Sequence, residues 1–204
     1  MTTAQPAAPR SEAWQNRRSD TLVGAVVLLA LVIGWVYRGS LLNQTRRLTD
    51  DVSGLQLDVP ATWISALDKT TAIDLAVVNP RAASAYKTQL ALYSRVLDPD
   101  NPAPLDGVID RLIERHTANL DSYQLLAVDN RTVQGADSAV LEYAHVVNPI
   151  DDPFRASVPV VVHVVEYVIY TPTQYWVLTL SADEQAYTGT AATFEKIVQS
   201  VQLP

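Results

Sequence analysis

Apolar positions fall into two regimes along this chain, one unbroken early block and a long remainder in which they alternate with polar ones. From Thr21 to Tyr37 the sequence TLVGAVVLLALVIGWVY carries no charge over seventeen residues, between Asp20 and Arg38. That run is apolar on every face, whereas a helix lying on a protein surface would show a polar stripe. Later, Leu55, Leu57 and Val59 alternate with Gln56 and Asp58, the period of a strand with one buried face, closed by Pro60. Ile73 to Val78 and Leu90 to Leu97 predict two further strands, and the proline-rich stretch from Asp98 to Pro104 breaks regular structure. Val108, Leu112, Ile113 and Leu120 recur at helical spacing, which predicts a helix from about Gly107 to Leu120 with Asp106 as its cap.

Tyr123 to Thr132 and Ser138 to Val147 predict a hairpin turning at Gln134, Gly135 and Ala136. The loop NPIDDPF follows, then a strongly β-branched strand from Val158 to Tyr170, a turn at Thr171 to Thr173, and a last strand from Tyr175 to Leu180. Ala191, Phe194, Ile197, Val198 and Val201 share one helical face, so Thr190 to Val201 predicts a C-terminal helix packed on the sheet. Sequential strands with short turns, interrupted by helices, make an α+β class with a largely antiparallel sheet. The expected organisation is a disordered tail over 1–20, a transmembrane helix over 21–38, a linker over 39–53 and one soluble domain over 54–204. Leu41 to Ser53 either carries the helix outward or forms that linker.

Charge divides along the same line. Up to residue 50 there are six Arg and three acidic residues; beyond it there are nine Lys or Arg and nineteen acidic residues, within a net charge of −7. So acidic a domain repels polyphosphate, whose binding depends on Lys and Arg, and nucleic acid is excluded as a partner. Cysteine is absent, which removes disulfides, thiolate ligands and a thiol nucleophile without fixing the compartment.

At about 1.5 Å per residue the early run spans about 25 Å, near the lower limit for a hydrocarbon core of about 30 Å. Leu22, Val26, Leu29 and Ile33 are its lipid-facing anchors, and Trp35 and Tyr37 stand where aromatic rings favour the headgroup zone. Snorkelling of Arg18 and Arg38 extends its reach. A cleaved signal peptide is the rival, because Arg17 and Arg18 precede the run, but no Ala-x-Ala pattern follows Arg38. Three Arg on each side leave the orientation undecided by positive charge. The short tail favours a signal-anchor, with the domain on the extracytoplasmic side of the cell membrane.

Leu57, Asp58, Val59, Pro60, Ala61, Thr62 and Trp63 resemble the opening strand and Pro-x-x-Trp closure of the PsbP-like and Mog-type domain family. Val133 to Ala139, VQGADSA, resembles its mid-domain hairpin turn, and Tyr175 to Ser181 with Phe194, Ile197, Val198 and Ser200 resembles its closing strand and helix. The family includes extrinsic photosystem II subunits, Ran-binding proteins and bacterial lipoproteins. The resemblance implies a non-enzymatic domain that docks on a larger complex or helps to assemble one, and it carries over no binding residue.

Little else in the sequence marks chemistry. His116, His145 and His163 lack metal-ligand spacing and default to solvent-facing or hydrogen-bonded roles. Asp98, Asp100 and Asp106, with Asn101, gather oxygens that calcium uses, yet their spacing departs from an EF-hand and helix capping and turn formation explain them. Neither a Gly-x-Ser-x-Gly elbow nor a Gly-x-Gly-x-x-Gly loop occurs. No cofactor is expected. Tyr175 and Trp176, opening the last strand, are the candidate aromatic contact for a partner. The expected role is a membrane-anchored accessory or scaffold subunit that binds lipid through its helix and a membrane-protein complex through its domain. The alternative is an anchored hydrolase or small-ligand-binding protein using a cleft in the same domain, and a calcium-dependent module is a third reading.

Overall fold

The computed structural model describes residues 23–35, 44–66, 73–148 and 158–204. The chain divides into two units, Met1–Gln44 and Thr45–Pro204. In the first, residues 23–35 form helix α1, whose bulky apolar side chains from Val23 to Trp35 are each half or more exposed. Among the described residues no helix is long and apolar enough to cross a membrane. Of the anchor positions, Val26, Leu29, Ile33 and Trp35 lie on α1, while Leu22 and Tyr37 fall outside the described residues.

The second unit is α+β. Among the described residues its nine strands are β1 Thr45–Thr49, β2 Gln56–Pro60, β3 Ile64–Ser65, β4 Leu75–Val78, β5 Gln89–Val96, β6 Gln124–Val133, β7 Ala136–Val147, β8 Val160–Tyr170 and β9 Gln174–Asp183. Helix α2 spans Leu105–Asn119 and α3 spans Glu184–Gln199. Seven strands form one sheet in the order β3-β4-β5-β9-β8-β7-β6, with every neighbouring pair antiparallel, and β1 pairs with β2 apart from it. Gln56 bridges to Gln202, which ties the small sheet to the chain's end.

Both faces of the large sheet are covered. On one, Phe194, Ile197 and Val198 of α3 and Leu57 and Val59 of β2 pack on Leu90, Leu92, Trp176, Leu178 and Leu180. On the other, Val108, Ile109 and Leu112 of α2 pack on Leu141, Tyr143, Val164, Val168 and Val177. Strand β8 sits between the two cores, so it reads VVVHVVEYVIY with hardly any alternation, as a strand buried on both sides should.

Three local expectations change. The stretch 45–49, expected in the linker, is a strand: Arg47 is paired with Asp58 at 3.0 Å and Leu48 lies opposite Leu57, so cross-strand pairing outweighs its polar composition. Asp106 does not cap α2; the cap is Pro104, which offers no side-chain bond, and Asp106 stands inside the first turn, where its charge suits the helix dipole. Helix α3 begins at Glu184 instead of Thr190, because Asp183 accepts a hydrogen bond from the Gln185 amide at 2.8 Å and starts it earlier.

Candidate functional site

Burying β8 on both sides forces its two ionisable residues to find partners, since an unpaired buried charge is costly. Glu166 faces α2 and is only 1% exposed. Its Oε2 lies 2.7 Å from His116 Nε2, so a residue of the helix meets one of the sheet beneath it. Oε1 has no hydrogen-bond partner among the described residues. Around this pair stand aromatic rings: Tyr143 is 4.9 Å from the His116 ring and 5.3 Å from Tyr123, whose hydroxyl is also buried without a partner.

The phenols there are held protonated. Burial first, then the negative charge of Glu166, pushes Tyr143 far up and raises Tyr123 in the same way. Tyr93 is pushed up to about 12 by burial and then by Glu166, against the opposing pull of Arg115, which donates to its hydroxyl at 2.6 Å. Burial lowers His145. Beneath α2, burial acts first on the phenols and the Glu166 carboxylate adds to it.

On the opposite face, His163 is nearly buried, with Nε2 2.8 Å from Glu142 Oε1 and Nδ1 2.8 Å from Glu184 Oε2. Tyr187 stacks on its ring at 3.6 Å between centroids. Glu184 and Tyr187 belong to α3, so this cluster fastens the start of α3 to β7 and β8. Just beyond lies a groove of about 150 Å³ lined by Asp129, Arg131, Tyr187, Phe194 and Glu195 among others.

Neither cluster includes a serine beside its histidine among the described residues. Among the described residues no serine hydroxyl bonds a histidine: Ser181 meets Tyr86, Ser94 meets Asp74 and Ser84 meets Asp183. Nor does any group of three metal-ligating side chains converge there. Among the described residues Asp98, Asp100 and Asp106 do not form a group placed to hold a metal ion. Asp98 instead accepts from the Asp100 amide at 3.0 Å, which is turn chemistry.

The aromatic pair separates. Trp176 is 1% exposed in the core under α3 and is no contact residue; it points inward because β9 presents positions 176, 178 and 180 to that core. Tyr175 points the other way and is partly buried beside α2. Sequence reasoning missed Glu166 altogether. Its signal was a lone acidic residue inside an otherwise apolar run, in a strand whose lack of alternation already implied two buried faces.

No family model matches the chain, and no curated protein matches it in sequence. Solved structures do. The cyanobacterial PsbP protein CyanoP of Synechocystis sp. PCC 6803 aligns over 78% of this chain and 92% of its own, at 16% identity and a TM-score of 0.59. The fold is PsbP-like. LpqN of Mycobacterium tuberculosis, described as involved in cell envelope biogenesis, aligns at 14% identity over 79% of this chain and 91% of its own, with a TM-score of 0.54. The Ran-binding protein Mog1p of Saccharomyces cerevisiae covers 78% of this chain and 95% of its own at 12% identity, but its TM-score of 0.49 adds nothing to the fold assignment. In this PsbP-like fold the two ionic clusters fix the two long helices to the sheet, one on each face.

Proposed function

We propose that the chain is a single-pass membrane protein whose PsbP-like domain works as a non-enzymatic accessory subunit, binding or stabilising a membrane-protein complex on the extracytoplasmic side. The observation that carries this is the surface of α1. Val26, Leu29, Ile33 and Trp35, with their apolar neighbours, stand open on a helix that belongs to an uncharged run of seventeen residues. Water strongly disfavours such a surface, and hydrocarbon accepts it. A tether of this kind also raises the domain's effective concentration near any partner in the same membrane. The fold similarity to LpqN, described as involved in cell envelope biogenesis, supports an accessory role at a coarse level. The buried polar groups agree with the non-enzymatic reading, since His116, Glu166 and His163 are spent on fixing helices to the sheet.

The test is extraction of membranes with mild detergent, using a tag at the C-terminus, followed by identification of the co-purifying proteins. Stoichiometric recovery of a membrane protein supports the proposal. Recovery of the chain alone, turning over a substrate, overturns it in favour of an anchored hydrolase or ligand binder.

A further inference from the structure

Strand β6 closes one end of the seven-stranded sheet, and among the described residues no strand lies outside it. Nine of its ten residues are not buried, and Leu125, Leu126 and Val128 are 37%, 47% and 43% exposed. An edge this long, with bare apolar side chains, is a template for another strand unless something blunts it. The bulge between Leu125 and Ala127 blunts only the first part. From Ala127 to Val133 the register against β7 runs without interruption.

We propose that this straight stretch pairs with its counterpart in a second copy of the chain, antiparallel about a two-fold axis at Asn130. Asn130 is the midpoint of the segment 127–133, so every residue in it finds an opposite number: Ala127 meets Val133 of the second copy, Val128 meets Thr132, and Asp129 meets Arg131. The charges select this occupant. Asp129 and Arg131 flank Asn130 on the face that carries α3, where both line the groove beside Tyr187 and Glu195. A two-fold at Asn130 sets each acid against the other copy's base, twice over, and opposite charges directly across a strand pair stabilise it. An isologous pairing needs a self-complementary sequence, and this segment is one. The outer backbone groups of β6, left to water in a single copy, would complete a continuous sheet. This pairing does not depend on the identity of any membrane complex, and a shared bilayer would favour it by confining the copies to one plane.

The full chain in mild detergent tests the pairing through mass measured by light scattering across a concentration series. A dimer that dissociates on dilution is expected. Arg131→Asp sets acid against acid and should weaken dimerisation at least tenfold, and Asp129→Arg should do the same with base against base. The combined exchange Asp129→Arg with Arg131→Asp restores opposite charges and should restore the dimer, which no unspecific loss of charge would do. Because the chain has no cysteine, a single Asn130→Cys supplies a unique thiol that should cross-link to its own counterpart. Ala127→Cys should not, since its counterpart stands six residues away along the strands, about 20 Å. A monomer at every concentration, equal cross-linking at both positions, or cross-linking of Asn130→Cys only to a different protein would each overturn the proposal.

Discussion

A fully buried carboxylate is an unstable element unless its partner stays in place. Among the described residues Glu166 has one such partner, His116, at 2.7 Å, and its second oxygen has none. Removing the histidine therefore strands a charge in the core, which costs about 3–5 kcal/mol in comparable buried pairs. His116→Ala should lower the unfolding free energy measured by urea titration by an amount of that order. Replacing both members with apolar residues, His116→Leu with Glu166→Met, should recover most of the loss, because no charge is left to desolvate. If the double variant is as unstable as His116→Ala alone, packing and not the stranded charge explains the loss. The same carboxylate has a pH signature through Tyr93, whose phenol is pushed up to about 12 by burial and then by Glu166. A raised value means that the folded state holds the proton more tightly. The stability this contributes is complete below the ordinary tyrosine value of about 10 and is lost as pH climbs through about 12. Urea titrations over that window should show the decline, Tyr93→Phe should reduce it, and Glu166→Gln should move it to lower pH.

At the scale of elements, the turn between β6 and β7 sets the register of that hairpin. Gln134 and Gly135 both have positive φ, at 51° and 81°, the geometry of a two-residue turn whose twist matches the strands. Nothing lies within 4 Å of a side chain added at Gly135, so Gly135→Ala meets strain without a clash. It should cost about 1 kcal/mol by urea unfolding, while Gln134→Asn, better suited to that conformation, should stabilise the domain slightly. This hairpin was legible in the sequence, since Gln-Gly between two alternating runs is turn chemistry. So were β5, β9 and the two long helices, through their apolar faces, and β8, through a long β-branched run that hardly alternates. Strand β1 was not: TRRLT contains one apolar residue, and its strand character comes from Leu57 and Asp58 across the ladder. The early start of α3 was hidden for a similar reason, its first turn depending on the Asp183 cap and on Glu184 reaching His163. The partners of Glu166 and His163 lie 50 and 21 residues away, and no local pattern encodes such a pairing.

For the whole molecule, the two units differ in what stabilises them. Residues 45–204 bury apolar surface on both faces of one sheet and close on themselves through the bridge from Gln56 to Gln202. Among the described residues, every member of either core cluster lies in the second unit. Deleting the first 44 residues should accordingly leave the domain's melting temperature within about 2 °C of the full chain's, no more than the shift of about 2–4 °C that 1 kcal/mol produces in a domain of about 150 residues or more. The same deletion removes Val26, Leu29, Ile33 and Trp35, and with them the exposed apolar surface attributed to lipid contact. Centrifugation of membranes without detergent should then divide the two forms, the full chain in the pellet and the truncated one in the supernatant. Equal partitioning of both would move membrane association from α1 to the domain itself, and a truncated form that fails to fold would show that the first unit contributes to the domain's stability.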